Sequence, residues 1–179
     1  CFFVDADEPD KGVQLIRKMI KESIPRKFRF DPIRDVQVLC PMLKGDLGVR
    51  NLNIQLQSLL NPKGTEVERF GIVYREGDKV MQTENDYDKD VYNGDIGVLD
   101  RVDTDEREAF VRFDENRLVK YDFKELDSLQ LSYATTIHKS QGSEYPCVII
   151  PVHTQHYVML QRNLIYTALT RAKKLAILV

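Results

Sequence analysis

The chain has 179 residues, enough for one domain or two small ones with a core of useful size. Hydrophobic residues make up 42% and charged ones 30%, an ordinary globular balance that excludes a low-complexity or fibrous chain. The formal net charge of −2 argues against a protein that coats nucleic acid electrostatically, while leaving room for a local basic groove. No apolar stretch approaches a membrane span and no signal peptide opens the sequence, so no membrane partner is expected. Cys1, Cys40 and Cys147 lie far apart. They read as buried thiols of a reducing, cytoplasmic compartment, not as a disulfide framework or a metal site.

In chain order, residues 1–4 form a short apolar strand, beginning so abruptly that the sequence looks cut from something larger. Residues 5–10 are an acidic turn. Val13, Leu15, Ile16, Met19, Ile20 and Ile24 then recur at helical spacing over residues 11–24, and Pro25 is expected to end that helix. Residues 35–41 are a second strand leading into a loop with Gly45 and Gly48. Two glycines there either turn the chain or let its backbone approach a phosphate. Residues 49–60 predict a helix with Leu52, Ile54, Leu56, Leu59 and Leu60 as its apolar positions.

From residue 66 to 128 the helical period disappears. Strand-like runs at 70–74, 79–82, 97–102, 109–113 and 118–123 alternate with turn signals such as Asn93-Gly94-Asp95, the pattern of a small barrel. Residues 135–144 are polar and rich in hydroxyls. They precede Val148-Ile149-Ile150, which Pro151 closes as a buried strand of a parallel sheet. Loops of that make-up beside such a sheet commonly hold phosphates. His153 and His156 stand three apart in a connecting loop, without an acid or cysteine to complete a metal ligand set. Residues 161–173 predict a helix ending in basic residues, and 175–179 a final strand.

Two stretches carry a resemblance. Thr136-Ile-His-Lys-Ser-Gln-Gly-Ser-Glu-Tyr145 resembles motif V of superfamily 1 helicases, and Asn163-Leu-Ile-Tyr-Thr-Ala-Leu-Thr-Arg-Ala-Lys173 resembles their motif VI. The wording of the first is most similar to the RecD-like 5′-to-3′ DNA helicases. Gly77-Asp-Lys-Val-Met-Gln82, Asn85-Asp-Tyr-Asp88 and Tyr92-Asn-Gly-Asp-Ile-Gly97 resemble the SH3-like insertion of the same family. The resemblance implies an α/β fold: a RecA-like parallel sheet with flanking helices, interrupted by a small SH3-like β-barrel. It implies residues 1–65 and 129–179 as the second RecA-like domain (2A) and 66–128 as the insertion (2B).

Each candidate residue has a plain reading and a functional one. Arg171 is either a helix C-terminal cation or, as motif VI implies, an arginine finger. A guanidinium offers a rigid fork of donors and a charge that cannot be lost. Gln141, Gly142 and Glu144 are either a helix N-terminus capped by Ser140 or Ser143, or the nucleotide edge of the cleft. Thr136 and His138, with Lys139 adding charge, are either self-satisfied loop residues or, by resemblance, contacts to a single-strand backbone. The strand, loop and helix of residues 35–60 take the place of motif IV, with Lys44 or Arg50 for the family's arginine and Lys44 assigned to the nucleotide. Tyr87, Tyr92 and Lys89 are either barrel core or a contact to bases.

The resemblance thus implies the C-terminal part of an ATP-dependent DNA helicase, with repair, recombination and plasmid transfer all open as its pathway. ATP and Mg2+ would be bound mainly by an N-terminal RecA-like domain of the same parent chain. Its partners are that domain, single-stranded DNA and further helicase or nuclease subunits; the alternative is a non-catalytic nucleic-acid or protein binding module. The sequence contains no Gly-x-x-x-x-Gly-Lys-[Ser/Thr]. The 179 residues alone are therefore expected not to hydrolyse ATP, and turnover by the purified chain in a phosphate-release assay would overturn that expectation.

Overall fold

The computed structural model describes residues 1–154 and 161–179. The described chain divides into two compact units, one of Cys1–Leu60 with Tyr133–Val179 and one of Asn61–Ser132. No described helix is long and apolar enough to cross a membrane.

The first unit is built on a parallel sheet. Its strands are β1 (Phe2–Phe3), β2 (Val36–Cys40), β10 (Ala134–Thr136), β11 (Tyr145–Ile150) and β12 (Ala172–Leu178), in the spatial order β1-β12-β11-β2-β10. Cys147, Val148, Ile149 and Ile150 of the central strand are fully buried, as are all five residues of β2. A parallel strand covered on both faces needs such an unbroken apolar run, and that run is visible in the sequence. Cys40 and Cys147 are buried in this sheet, whereas Cys1 is exposed, contrary to the reading of all three as buried. Burial pushes the Cys40 thiol far up and the Cys147 thiol up to about 12, so neither is reactive near neutrality.

The first helix does not stop at Pro25. It runs as α1 (Pro9–Lys18), widens through a π-helical turn (Met19–Ser23) and resumes as α2 (Ile24–Phe28). The Ile24 N–H reaches back five residues to the Met19 carbonyl, so Pro25 enters at the first turn of a new register, where no N–H is needed. The helix ends instead at Arg29, in the left-handed region with φ 57°.

Helix α3 (Val49–Leu60) has its predicted bounds, and Leu52 and Leu56 are buried as predicted, but one predicted apolar position is not. Ile54 is 60% exposed, while the polar Asn53 and Gln57 are buried. Asn53 accepts the Ala134 N–H at 2.8 Å and donates to the Ala134 carbonyl at 3.0 Å. A strand at the edge of a sheet leaves backbone groups without a neighbour, and here a helix side chain supplies one. Helix α4 (Arg162–Leu169) is shorter than predicted; Thr170 caps it and β12 begins at Ala172. The basic residues 171–174 therefore lie beyond the helix and not in its last turn. The predicted loop of residues 153–157 falls partly outside the described residues, and so does His156.

The second unit pairs β5 (Lys79–Gln82), β6 (Ile96–Asp103), β7 (Glu108–Asp114), β8 (Arg117–Asp122) and β9 (Leu129–Leu131) as an antiparallel sheet, β8-β7-β6-β5-β9. A hairpin of β3 (Glu66–Arg69) and β4 (Ile72–Arg75) replaces the single strand expected at 70–74. Phe70 and Gly71 turn the chain there with φ 54° and 76°, the positive pair that a tight hairpin demands. The charged run Glu66–Arg69 hid its partner strand. Gly97 is indispensable: a Cβ there would lie 2.7 Å from Val111 Cγ1 and 2.9 Å from the Arg112 carbonyl. Asp78, fully buried, accepts the Arg75 N–H at 2.6 Å and Asn61 Nδ2 at 2.8 Å.

Asn53→Ala leaves both Ala134 backbone groups buried without that partner and should destabilise the chain by about 2 kcal/mol in urea unfolding. Ile54→Ala, one residue along on the exposed face, should change stability by less than about 0.5 kcal/mol.

Candidate functional site

The parallel register sorts the candidate residues onto two edges of one sheet. Thr136 lies level with Cys40, so β10 and β2 end at the same, carboxyl edge. The loop of residues 41–48 leaves that edge from β2, and the segment 137–144 leaves it from β10. The Ile137 N–H donates to the Cys40 carbonyl at 3.1 Å and ties the second loop to the first strand end. Lys44, Thr136, His138 and Lys139 gather here.

The Thr136 hydroxyl accepts the Lys139 N–H at 3.2 Å, and the buried Ser140 hydroxyl donates to the Ile137 carbonyl at 2.6 Å. These bonds close a short 3-10 turn over His138–Ser140. They hold His138 and Lys139 exposed on a fixed backbone. In the neighbouring loop, the Gly48, Val49 and Arg50 N–H groups donate to Gly45, Met42 and Leu43 carbonyls at 3.0, 3.1 and 3.2 Å. A Cβ at Gly48 would lie 2.3 Å from the Lys44 carbonyl oxygen. The two glycines thus serve a tight turn, and these three amides are engaged within it. Lys44 and Arg50 are exposed beside it.

At the opposite, amino edge, β11 and β12 start together. Tyr145 lies opposite Ala172, and its N–H donates to the Arg171 carbonyl at 2.8 Å. The Cys147 N–H donates to the Asp35 carbonyl at 3.0 Å, so β2 begins at the same level. From Asp35 to Cys40 the two edges are roughly 16 Å apart at about 3.3 Å per residue. Lys44, grouped with the nucleotide residues from the sequence, stands at the edge away from Arg171.

Between the edges run Gln141, Gly142, Ser143 and Glu144. Gly142 has φ 82° and open space around it, so its role is backbone direction. No helix starts here: β11 begins directly at Tyr145, and Ser140 bonds backward instead of capping forward. The helix N-terminus expected as the plain reading of residues 140–144 is absent among the described residues. Glu144 lies 3.7 Å from Lys173, both largely exposed, a pair worth less than about 0.5 kcal/mol.

Arg171 follows the Thr170 cap and is half-buried. One terminal nitrogen donates to the Thr170 hydroxyl at 3.3 Å. Its Nε is buried without a hydrogen-bond partner among the described residues. Burial raises the Tyr145 phenol above its ordinary pKa, opposed by the Ser143 hydroxyl and the Arg171 guanidinium nearby. Tyr145 was not singled out from the sequence. The available signal was a tyrosine at the first position of a buried strand, because such a hydroxyl needs a partner.

In the second unit Tyr87 and Tyr92 are exposed and packed edge to face, their centroids 6.0 Å apart. Lys89 is held by Glu125 at 2.6 Å and Asp86 at 3.6 Å. With Glu84, Asp88 and Asp90 exposed around it, this aromatic pair lacks the free positive charge that a phosphate backbone requires.

Comparison with known proteins places these features in context. A family model for the UvrD-like helicase C-terminal domain matches residues 131–179, and one for the ATP-dependent RecD-like DNA helicase SH3 domain matches residues 52–113. The ATP-dependent RecD2 DNA helicase of Deinococcus radiodurans is 42% identical over 166 residues, covering 93% of this chain and 22% of that protein. The RecBCD enzyme subunit RecD of Haemophilus influenzae is 32% identical over 142 residues, covering 78% of this chain and 20% of that one. The chain thus spans about a fifth of the length of these relatives. Among solved structures, a Bacteroides Pif1 helicase in complex with ADP-AlF3 and ssDNA superposes with TM-score 0.60 at 19% identity, covering 95% of this chain and 45% of that one. Pif1 helicase from Candida albicans superposes with TM-score 0.57 at 17% identity, covering 96% and 55%. At those identities the structural likeness speaks for the fold.

Proposed function

The chain belongs with the RecD-like superfamily 1 helicases, as part of their C-terminal region, and on that premise we propose that it is one half of an ATP-dependent DNA motor moving 5′ to 3′ on single strands. In this reading the parallel-sheet unit is the second RecA-like domain, and residues 61–132 are its SH3-like insertion. An N-terminal RecA-like domain of the same protein holds most of the nucleotide and its magnesium. Further helicase or nuclease subunits are the other partner class. One relative is itself a subunit of the RecBCD enzyme.

The observation that carries the reading is the sorting of the candidate residues onto two edges of one sheet, joined by the single segment 137–144. Magnesium-bound ATP supplies the phosphoryl group. At the amino edge Arg171 offers a half-buried guanidinium, a fork of donors and a fixed charge suited to charge developing on that group. Glu144 accepts from a ribose hydroxyl, and the Gly142 turn keeps side chains away from the nucleotide. At the carboxyl edge Thr136, His138 and Lys139 contact the strand backbone without reading its bases, and Lys44 joins them there. A change at one end of 137–144 is transmitted to the other through a short, hydrogen-bonded path, which couples nucleotide state to strand grip.

Single-strand-stimulated ATPase activity of the full-length protein tests this. Arg171→Ala should lower turnover by roughly a thousandfold or more with strand affinity kept. The double substitution Thr136→Ala and His138→Ala should weaken strand binding first. Unchanged turnover in Arg171→Ala would remove that residue from the active site and favour a non-catalytic binding module.

A further inference from the structure

Residues 17–29 carry six cations, Arg17, Lys18, Lys21, Arg26, Lys27 and Arg29, against one acid, Glu22, in a chain whose net charge is −2. They lie along α1, the π-helical turn and α2, whose buried face is Ile16, Met19, Ile20 and Ile24. Arg17 is committed to Gln55 of α3, one terminal nitrogen donating to its carbonyl and to its Oε1 at 2.9 Å each. The other five are exposed and lie in no ion pair among the described residues. Elsewhere the fold pairs such groups: Arg75, Lys89, Arg112, Arg117 and Lys120 each hold a carboxylate. The acids that follow in the chain, Asp31 and Asp35, accept backbone N–H groups at 2.7 to 2.8 Å. Helix α3, packed against α1, brings only Arg50 as a charged residue. A helix C-terminus favours cations in its last turn, which accounts for Arg26 and Lys27 but not for Lys18 and Lys21 in mid-helix. Between Lys27 and Arg29 stands Phe28, 40% exposed. Its ring stacks on Phe30, with centroids 6.3 Å and planes 13° apart, and meets Phe2 edge-on at 6.3 Å.

We propose that this face of the first helix is a second contact for single-stranded DNA, apart from the segment 137–144. The unpaired cations track phosphates, and Phe28 offers its ring to a base. From Lys18 to Arg29 the helix spans roughly 16 Å at about 1.5 Å per residue, a length that several nucleotides cover. An acidic protein surface would satisfy the cations but not the ring. A strand satisfies both, because each nucleotide carries a phosphate and a flat base. The contact reads no base edge and is therefore independent of sequence. Taking a strand as the polyanion rests on the reading of this unit as part of a single-strand motor.

The test is the affinity of the full-length protein for a thymidine oligonucleotide, followed by fluorescence anisotropy across a salt series. The triple substitution Lys18→Gln, Lys21→Gln and Lys27→Gln removes three phosphate contacts. The log of affinity should then depend less steeply on the log of salt concentration, by about 2 in slope, and affinity at about 0.1 M salt should fall on the order of 100-fold. Phe28→Leu keeps an apolar side chain and removes the ring face, so affinity should fall about tenfold with the slope unchanged. Both variants should unfold close to the temperature of the unsubstituted protein. Unchanged affinity and slope in the triple variant overturn the proposal. A lowered unfolding temperature with strand affinity kept also overturns it, and assigns the patch to a contact with another part of the protein. Thr136→Ala with His138→Ala, measured alongside, separates the two levels. If only that pair weakens binding, the helix-face contact alone fails; if neither variant does, the single-strand reading of the unit fails with it.

Discussion

The register of β11 between β2 and β12 is the constraint on which the rest of the first unit depends. Cys147 faces Val36 on one side and Leu175 on the other, Ile149 faces Val38 and Ile177, and the strand has no open edge. A slip of one residue would exchange the faces of a fully buried strand and leave ladder groups unpaired. Because the register holds, Tyr145 starts level with Ala172, and Arg171 and Glu144 share one edge. The polar residues at that edge are therefore positioned by the apolar core, not by contacts among themselves. The Glu144–Lys173 pair is too exposed to position anything.

The other end of the segment is held by a different device. β10 is only three residues long and lies at the edge of the sheet, with β2 on one side. Asn53 stands in for the neighbouring strand by bonding both backbone groups of Ala134. That couples α3, and the glycine loop before it, to the strand that delivers Thr136. Two loops from two strands are thereby brought to one edge as a unit. The Ile137 to Cys40 bond adds a second tie across the same gap.

The second unit solves the small-domain problem with buried polar anchors. The Tyr74 hydroxyl donates to the Leu129 carbonyl at 2.8 Å, and the Tyr121 hydroxyl donates to Gln82 Oε1 at 2.8 Å. Asp78 ties the turn after β4 to Asn61. Each anchor joins segments distant in sequence, which suits a sheet whose core is thin. Its charged surface groups pair locally: Arg112 with Asp100, Lys120 with Glu108, and Lys89 with Glu125.

The sequence by itself determined the elements whose signal is local. The β-branched run of 148–150 specified a central parallel strand, the 3.6-residue period specified the helices, and the motif wording specified the family. It misplaced features decided by partners remote in the chain. Pro25 reads as a stop unless a π turn supplies the register that accepts it. Ile54 reads as core until Asn53 is needed for Ala134, 81 residues away. Arg171 reads as the end of a helix until the pairing of β12 with β11 draws residues from 172 onward into the sheet. The candidate residues were legible as types, but their division was not. Lys44 and Arg171 look equally available to a phosphate in one dimension. Only the parallel register, a property of backbone hydrogen bonds between distant segments, put one at each edge of the sheet.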